Sequence, residues 1–198
     1  MRLVDRASRR LPQPWRTIVD WLVTLAVAVA FVLAFQAEIA KPYRIPSSSM
    51  EPTLHCAQPG AWCRGTMSDR VIANRLAYRF REPRRGEIVV FRAPQRTEAV
   101  CGAAGVFVKR LVGLPGERIS LRRGEVFVDG RRLHEPYVAR QNLDPESGSW
   151  TVPAGHYFFL GDNRTHSCDS RSWGAVPRDD LIGPVAGTYW PPTRLGRP

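Results

Sequence analysis

Every basic residue in the chain apart from Lys41 and Lys109 is arginine, and the second lysine lies in Val106-Phe107-Val108-Lys109-Arg110-Leu111-Val112. That stretch reads as a strand buried on at least one face. An arginine does not release its proton at usable pH, whereas a lysine desolvated among apolar neighbours does, so Lys109 is a candidate general base. The plainer reading of the same residue is a strand lysine that snorkels or joins a salt bridge. A base of this kind needs a nucleophile, and Ile45-Pro46-Ser47-Ser48-Ser49-Met50-Glu51-Pro52 offers three hydroxyls between prolines that fix the backbone. One hydroxyl would attack a carbonyl while a second hydroxyl or a backbone N–H held the developing oxyanion. Ser and Pro also make ordinary linkers, which is the competing reading. A third cluster, Gly161-Asp162-Asn163-Arg164-Thr165-His166-Ser167-Cys168-Asp169-Ser170-Arg171, is dense enough in polar groups to be an internally bonded network. There Asp169 pairs naturally with Arg171, and Ser167 is placed to orient a nearby base.

A Ser-Lys pair needs neither histidine nor buried aspartate. His166 with Asp162 or Asp169 invites a Ser-His-Asp reading, and His55, Cys56, His166 and Cys168 invite a metal reading. Neither has a supporting spacing rule, so His55, His134, His156 and His166 are read as surface or loop residues, and no metal or cofactor is expected.

These residues must be held by elements the sequence also announces. From Ile18 to Ala37 only Asp20, Thr24 and Gln36 interrupt apolar residues, and about twenty residues at ~1.5 Å each span the ~30 Å hydrocarbon layer. Arg2, Arg6, Arg9, Arg10 and Arg16 precede the segment against a single Asp5, so the positive-inside rule places the N-terminus in the cytoplasm. Trp15 and Trp21 suit an interfacial aromatic belt. A cleaved secretory signal ending in Ala34-Phe35-Gln36-Ala37 competes with this anchor, but the apolar run exceeds the usual signal core. A buried core helix would be striped rather than apolar all round. The expected organisation is a basic cytoplasmic stretch over 1–16, an anchor over 17–40, an extracytoplasmic domain over 41–192 and a tail over 193–198 that frays.

Beyond the anchor the helical period gives way to short apolar runs separated by Gly, Pro and Asp, so the fold class is mainly β. Strands are expected over 70–74, 87–92, 106–112, 118–121, 125–128, 156–160 and 184–189. Arg122-Arg123-Gly124 and Asp129-Gly130 read as hairpin turns. The stretch 122–152 reads as a small insertion or subdomain with an exposed excursion over 137–150. Loops are expected over 79–85 and 94–105.

A chain of 198 residues, 43% hydrophobic, is ample for one domain with a small appendage. Its net charge of +11 invites a nucleic-acid reading. The arginines are scattered, however, no nucleic-acid-binding pattern is present, and a basic surface equally suits anionic lipid headgroups. Cys56, Cys63, Cys101 and Cys168 make an even set with no CxxC spacing, which favours disulfides over zinc.

Ser-Met-Glu-Pro-Thr-Leu from Ser49, Asp-Arg-Val-Ile-Ala-Asn from Asp69, Arg-Gly-Glu-Ile-Val-Val-Phe from Arg85, Lys-Arg-Leu-Val-Gly-Leu-Pro-Gly from Lys109 and Gly-Asp-Asn-Arg from Gly161 stand in one order. Together they resemble bacterial type I signal peptidase from Tyr43 to Trp190, behind an N-terminal anchor. The resemblance implies a single transmembrane helix followed by an antiparallel β-sheet catalytic domain. Within it Ser49 would be the nucleophile, Lys109 the general base, Ser47 with the Ser49 amide the oxyanion hole, and Ser167 the group that orients Lys109. It further implies ion pairs Arg110 with Asp162 and Asp169 with Arg171, and shallow pockets for small side chains lined by Tyr43, Ile45, Met50, Leu54, Phe107 and Val108. Substrates would be exported preproteins whose signal peptides end in Ala-x-Ala, presented as an extended strand, with membrane lipid as the other partner and no nucleic acid. The short excursion and single anchor match the compact form of the family. If Lys109 and Ser167 touch as the resemblance implies, Cys168 lies near the Lys109 strand, which favours a Cys101 to Cys168 bridge and leaves Cys56 with Cys63. Two rivals remain. A self-cleaving repressor peptidase would need a DNA-binding domain in place of the anchor, and a non-catalytic basic membrane-tethered β module has no reason to carry lysine at 109.

Overall fold

The computed structural model describes residues 13–139 and 147–198. The arginines at 2, 6, 9 and 10, Asp5, and residues 140–146 of the expected excursion lie outside the described residues. The chain divides into two compact units, one ending at Ala40 and one beginning at Lys41.

The first unit is a helix, α1, over Gln13–Glu38. It carries no apolar stripe: Trp21, Leu25, Val27, Phe31 and Leu33, distributed around its axis, are all exposed. Side chains are described on it without a gap from 17 to 33, and among the described residues no helix is long and apolar enough to cross a membrane.

In the second unit two sheets share a core. Seven strands run in the order β1-β2-β11-β3-β4-β9-β10, formed by Ala40–Arg44, Arg70–Asn74, Leu181–Trp190, Ile88–Arg92, Val106–Gly113, His156–Leu160 and Val176–Pro177. A smaller sheet has the order β7-β6-β5-β8, from Arg131–Arg132, Glu125–Val128, Arg118–Arg122 and Gly148–Thr151. The strand pairings are antiparallel. Strand β9 is apolar and buried from Tyr157 to Leu160 because both its faces are covered there. Tyr157 and Phe159 join Val89, Phe91, Leu111 and Trp173 on one side, while Phe158 and Leu160 join Val112, Ile119, Leu121 and Val126 on the other. Arg123 and Gly124 (φ +50° and +81°) turn β5 into β6, and Asp129 and Gly130 (φ +50° and +79°) turn β6 into β7. Paired positive φ is what a tight primed hairpin turn requires.

Several expectations shift. The loops expected over 79–85 and 94–105 contain one-turn helices, α2 at Ala77–Phe80 and α3 at Arg96–Cys101. A third short helix, α4, covers Ser170–Trp173, and its first turn is closed by the Asp169 carboxylate accepting the Arg171 N–H. The tail does not fray as expected. Arg194 donates to the buried Asp69 carboxylate at 3.0 and 3.1 Å and to the Thr53 carbonyl at 2.9 Å, and Gly196 bonds Thr188 in both directions.

The feature that positions the site is the uneven pairing of β4. It meets β3 along Val106 to Arg110, but its pairing with β9 begins only at Arg110. Among the described residues the first half of β4 therefore presents an edge without a strand partner on that side.

Candidate active site

The three serines lie where Pro46 ends the extended entry and Ser48–Met50 forms a single 3₁₀ turn. Asn163 clamps this turn from the distant loop, its side-chain amide donating to the Ser48 carbonyl and its backbone N–H to the Ser49 carbonyl, both at 3.1 Å. Met50 and Leu54 anchor it from below in a cluster with Ile45, Val71 and Ile88. Held in this way, the Ser47 and Ser49 hydroxyl oxygens stand 3.2 Å apart.

Lys109 reaches the same place from β4. Alternation along the strand sends Phe107, Lys109 and Leu111 to one face and Val108, Arg110 and Val112 to the other. The result is two cations with opposite surroundings. Arg110 donates through Nε and Nη2 to the fully buried Asp162 carboxylate at 2.8 and 2.6 Å, gives a further hydrogen bond to the Gly86 carbonyl, and lies 3.8 Å from the Tyr137 ring centroid. Lys109 is 4% exposed and makes no ion pair among the described residues. Burial pulls its pKa down to about 8; Asp169 opposes that fall, Arg171 adds to it and Asp162 opposes it. A lysine in that range is available as a base near neutral pH.

Ser49 and Lys109 line one cavity of about 340 Å³ together with Tyr43, Ile45, Ser47, Met50, Phe107, Val108, Cys101 and Cys168. Its remaining walls are Arg44, Pro46, Ala103, Ala104, Val106 and His166. Two site expectations change on this geometry. Leu54 does not line the cavity; it is fully buried in the apolar cluster beneath it. Among the described residues the buried Ser167 hydroxyl has no hydrogen-bond partner, so the expected bond to Lys109 is not made. Ser167 does not line the cavity, but it lies next to the serine turn: a Cβ on Gly161 would meet both the Ser167 Oγ and the Ser49 carbonyl oxygen, so only glycine fits between them.

The loop behind the site is tied down by charged side chains. Asp169 accepts from the Gly161 N–H at 3.1 Å and pairs with Arg171 at 2.8 Å, and Arg171 also donates to the Arg164 and Ser167 carbonyls. Disulfides join Cys56 to Cys63 and Cys101 to Cys168. Among the described residues no cluster of metal-ligating side chains is present.

Sequence reasoning missed His166 as a lining residue. Its ring packs against Trp62 at a 33° tilt, centroids 4.1 Å apart, and Trp62 is held in the left-handed region (φ +64°) on the Cys56 to Cys63 loop. A histidine inside so polar a loop was a signal, but one without a spacing rule.

The site thus places a serine turn and a desolvated lysine on the wall of one cavity in an antiparallel β domain. Residues 18–190 match the family model described as signal peptidase, peptidase S26, and the chain belongs to that family. With it the chain belongs to the serine endopeptidases that process signal peptides on preproteins. It is 36% identical over 192 residues to a probable signal peptidase I-2 of Synechocystis sp., covering 97% of this chain and 82% of that protein. It is 34% identical to signal peptidase I of Leptolyngbya laminosa, covering 93% and 86%. The signal peptidase I of Mycobacterium tuberculosis is 32% identical, with 93% and 77% covered.

Proposed function

We propose that the chain is a membrane-anchored signal peptidase that cleaves after Ala-x-Ala sites by a Ser49-Lys109 dyad. The observation that carries this reading is the shared cavity, whose wall holds both a nucleophile-type hydroxyl and a buried lysine whose pKa has fallen to about 8. Neutral Lys109 takes the Ser49 proton as Oγ attacks the scissile carbonyl, and the protonated lysine then delivers that proton to the leaving amine. Water activated by the same lysine releases the acyl-enzyme. Ser47, 3.2 Å from Ser49, supplies one hydrogen bond to the oxyanion, and the Ser49 amide, in a first helical turn where amides lack an intrahelical acceptor, supplies the other.

The unpaired edge of β4 gives an extended substrate its backbone partners, as in strand addition to a sheet. Ile45, Met50, Phe107 and Val108 form an apolar lining, which suits a small apolar side chain such as alanine at the recognised positions. Ser167 and Asp169 act behind Lys109 as positioning residues.

Anchoring rests on α1. Its 26 residues extend about 39 Å at ~1.5 Å per residue, more than the ~30 Å hydrocarbon layer, and Trp21, Leu22, Leu25, Val27, Phe31 and Leu33 are exposed on it. The arginines ahead of it orient the N-terminus to the cytoplasm and the β domain to the extracytoplasmic face, next to lipid. A non-catalytic membrane-tethered module would leave the lysine at 109 unaccounted for.

The decisive experiment is Lys109→Arg assayed on a preprotein with an Ala-x-Ala site. Loss of cleavage by about 10²- to 10⁴-fold with normal membrane insertion is expected. Substantial activity in that variant would sink the dyad. Lys41→Arg in parallel should be nearly silent.

A further inference from the structure

The wall of the cavity opposite the serines is made by two segments of unequal strength. Cys101 closes α3, Gly102 turns the chain in the left-handed region (φ +65°), and Ala103 and Ala104 complete the wall before β4 begins at Val106. Residues 102–106 are exposed. The hydrogen bonds of this connection are local, from Gly102 N–H to the Glu98 carbonyl and from Ala93 N–H to the Gly105 carbonyl. Among the described residues, no hydrogen bond joins it to the loop that carries His166 and Cys168. That loop is tied down by Asp169, Arg171 and Asn163 as described above. The covalent link between the two is the Cys101 to Cys168 disulfide, across a sequence separation of 67, with both cysteines on the cavity surface.

We infer that this disulfide is a specificity-determining element of the cleavage site. It fastens a weakly held segment to a strongly held one, and so fixes the distance from the Ala103 and Ala104 methyls to Ser49 and Lys109. With that distance fixed, the cavity takes a methyl-sized side chain beside the scissile bond and rejects a branched one. Opening the bridge frees the connection to move outward, while the loop bearing Ser167 and Asp169 stays in place. Selectivity is then lost before catalysis is. This inference rests on the signal-peptide cleavage proposed above.

The test uses the full chain, oxidised, in lipid-detergent micelles, with preproteins that differ only in having Ala, Ser, Val or Leu before the scissile bond. Oxidised wild type should prefer Ala to Val strongly. In Cys101→Ser/Cys168→Ser, and in wild type treated with dithiothreitol, the Ala-to-Val ratio of kcat/KM should fall about tenfold or more. The fall should come from a gain in kcat/KM at Val, and the double variant should be indifferent to dithiothreitol. Ala104→Leu with the bridge intact is the companion variant: narrowing the cavity should raise the Ala-to-Val ratio, and it keeps the question answerable if the double variant folds poorly. An unchanged ratio in reduced wild type and in Ala104→Leu overturns the proposal, as does a reductant effect that persists in the double variant. Absence of cleavage by oxidised wild type, or cleavage that survives Ser49→Ala, overturns the underlying reading instead.

Discussion

The two faces of β4 treat a buried cation in opposite ways. Behind the sheet, Arg110 meets a carboxylate held on both oxygens, a backbone carbonyl and an aromatic face, so its permanent charge is neutralised where it stands. On the cavity face one residue earlier, Lys109 is buried beside Phe107 with no ion pair among the described residues, and its proton becomes dispensable. Satisfying a charge fixes it, whereas desolvating one makes it labile. Neither side chain could do the other's work, since arginine holds its proton in any protein interior and a fully paired lysine would hold it too.

That contrast breaks most sharply on the arginine side. Asp162→Asn should strand the Arg110 guanidinium and cost about 4 kcal/mol, seen as a melting temperature lowered by roughly 8 to 16 °C. On the lysine side the sign reverses. Unfolded Lys109 holds its proton up to about pH 10.4, while the folded side chain releases it near 8. Between those values the unfolded state binds more protons, so stability rises with pH; below about 8 the cost of charging the buried amine is fully present. Lys109→Met should therefore stabilise the protein by about 3 kcal/mol at pH 7, with the gain fading towards pH 10.5 in paired denaturation series. A gain independent of pH would remove the desolvation argument. Smaller still is the influence of Asp169, which opposes the lowering of the Lys109 pKa. Cleavage by wild type should rise with pH through about 8, and Asp169→Asn should move that midpoint lower. A midpoint unmoved or raised would assign Asp169 to loop structure alone.

Alternation and turn chemistry made most of the β domain legible. The runs 70–74, 125–128 and 156–160 become strands with those bounds. Strand β11 starts three residues earlier than the expected Pro184; an irregular register between Leu181 and Gly183 lets the glycine and the proline sit inside the sheet. Strand β1, five residues with a central proline at the sheet edge, has too little pattern to detect. The one-turn helices were hidden for a related reason, since they depend on local hydrogen bonds rather than periodicity. Asn74, for example, closes the start of α2 by accepting from the Leu76 and Ala77 amides. At the site, the rarity of lysine singled out 109 and prolines singled out the serine turn, but their meeting across sixty positions was legible only through resemblance. Ala103 and Ala104 carried no signal, because a methyl group announces nothing until a cavity is seen to end on it.

The scarcity of lysine has an experimental consequence of its own. Reductive methylation with ¹³C-formaldehyde would label two ε-amines in this chain, one exposed at position 41 and one buried at position 109. Isotope-edited spectra of the intact enzyme would then contain so few side-chain resonances that Lys41→Arg alone assigns them. The protein thus carries, without engineering, a spectroscopic reporter on its own proposed base.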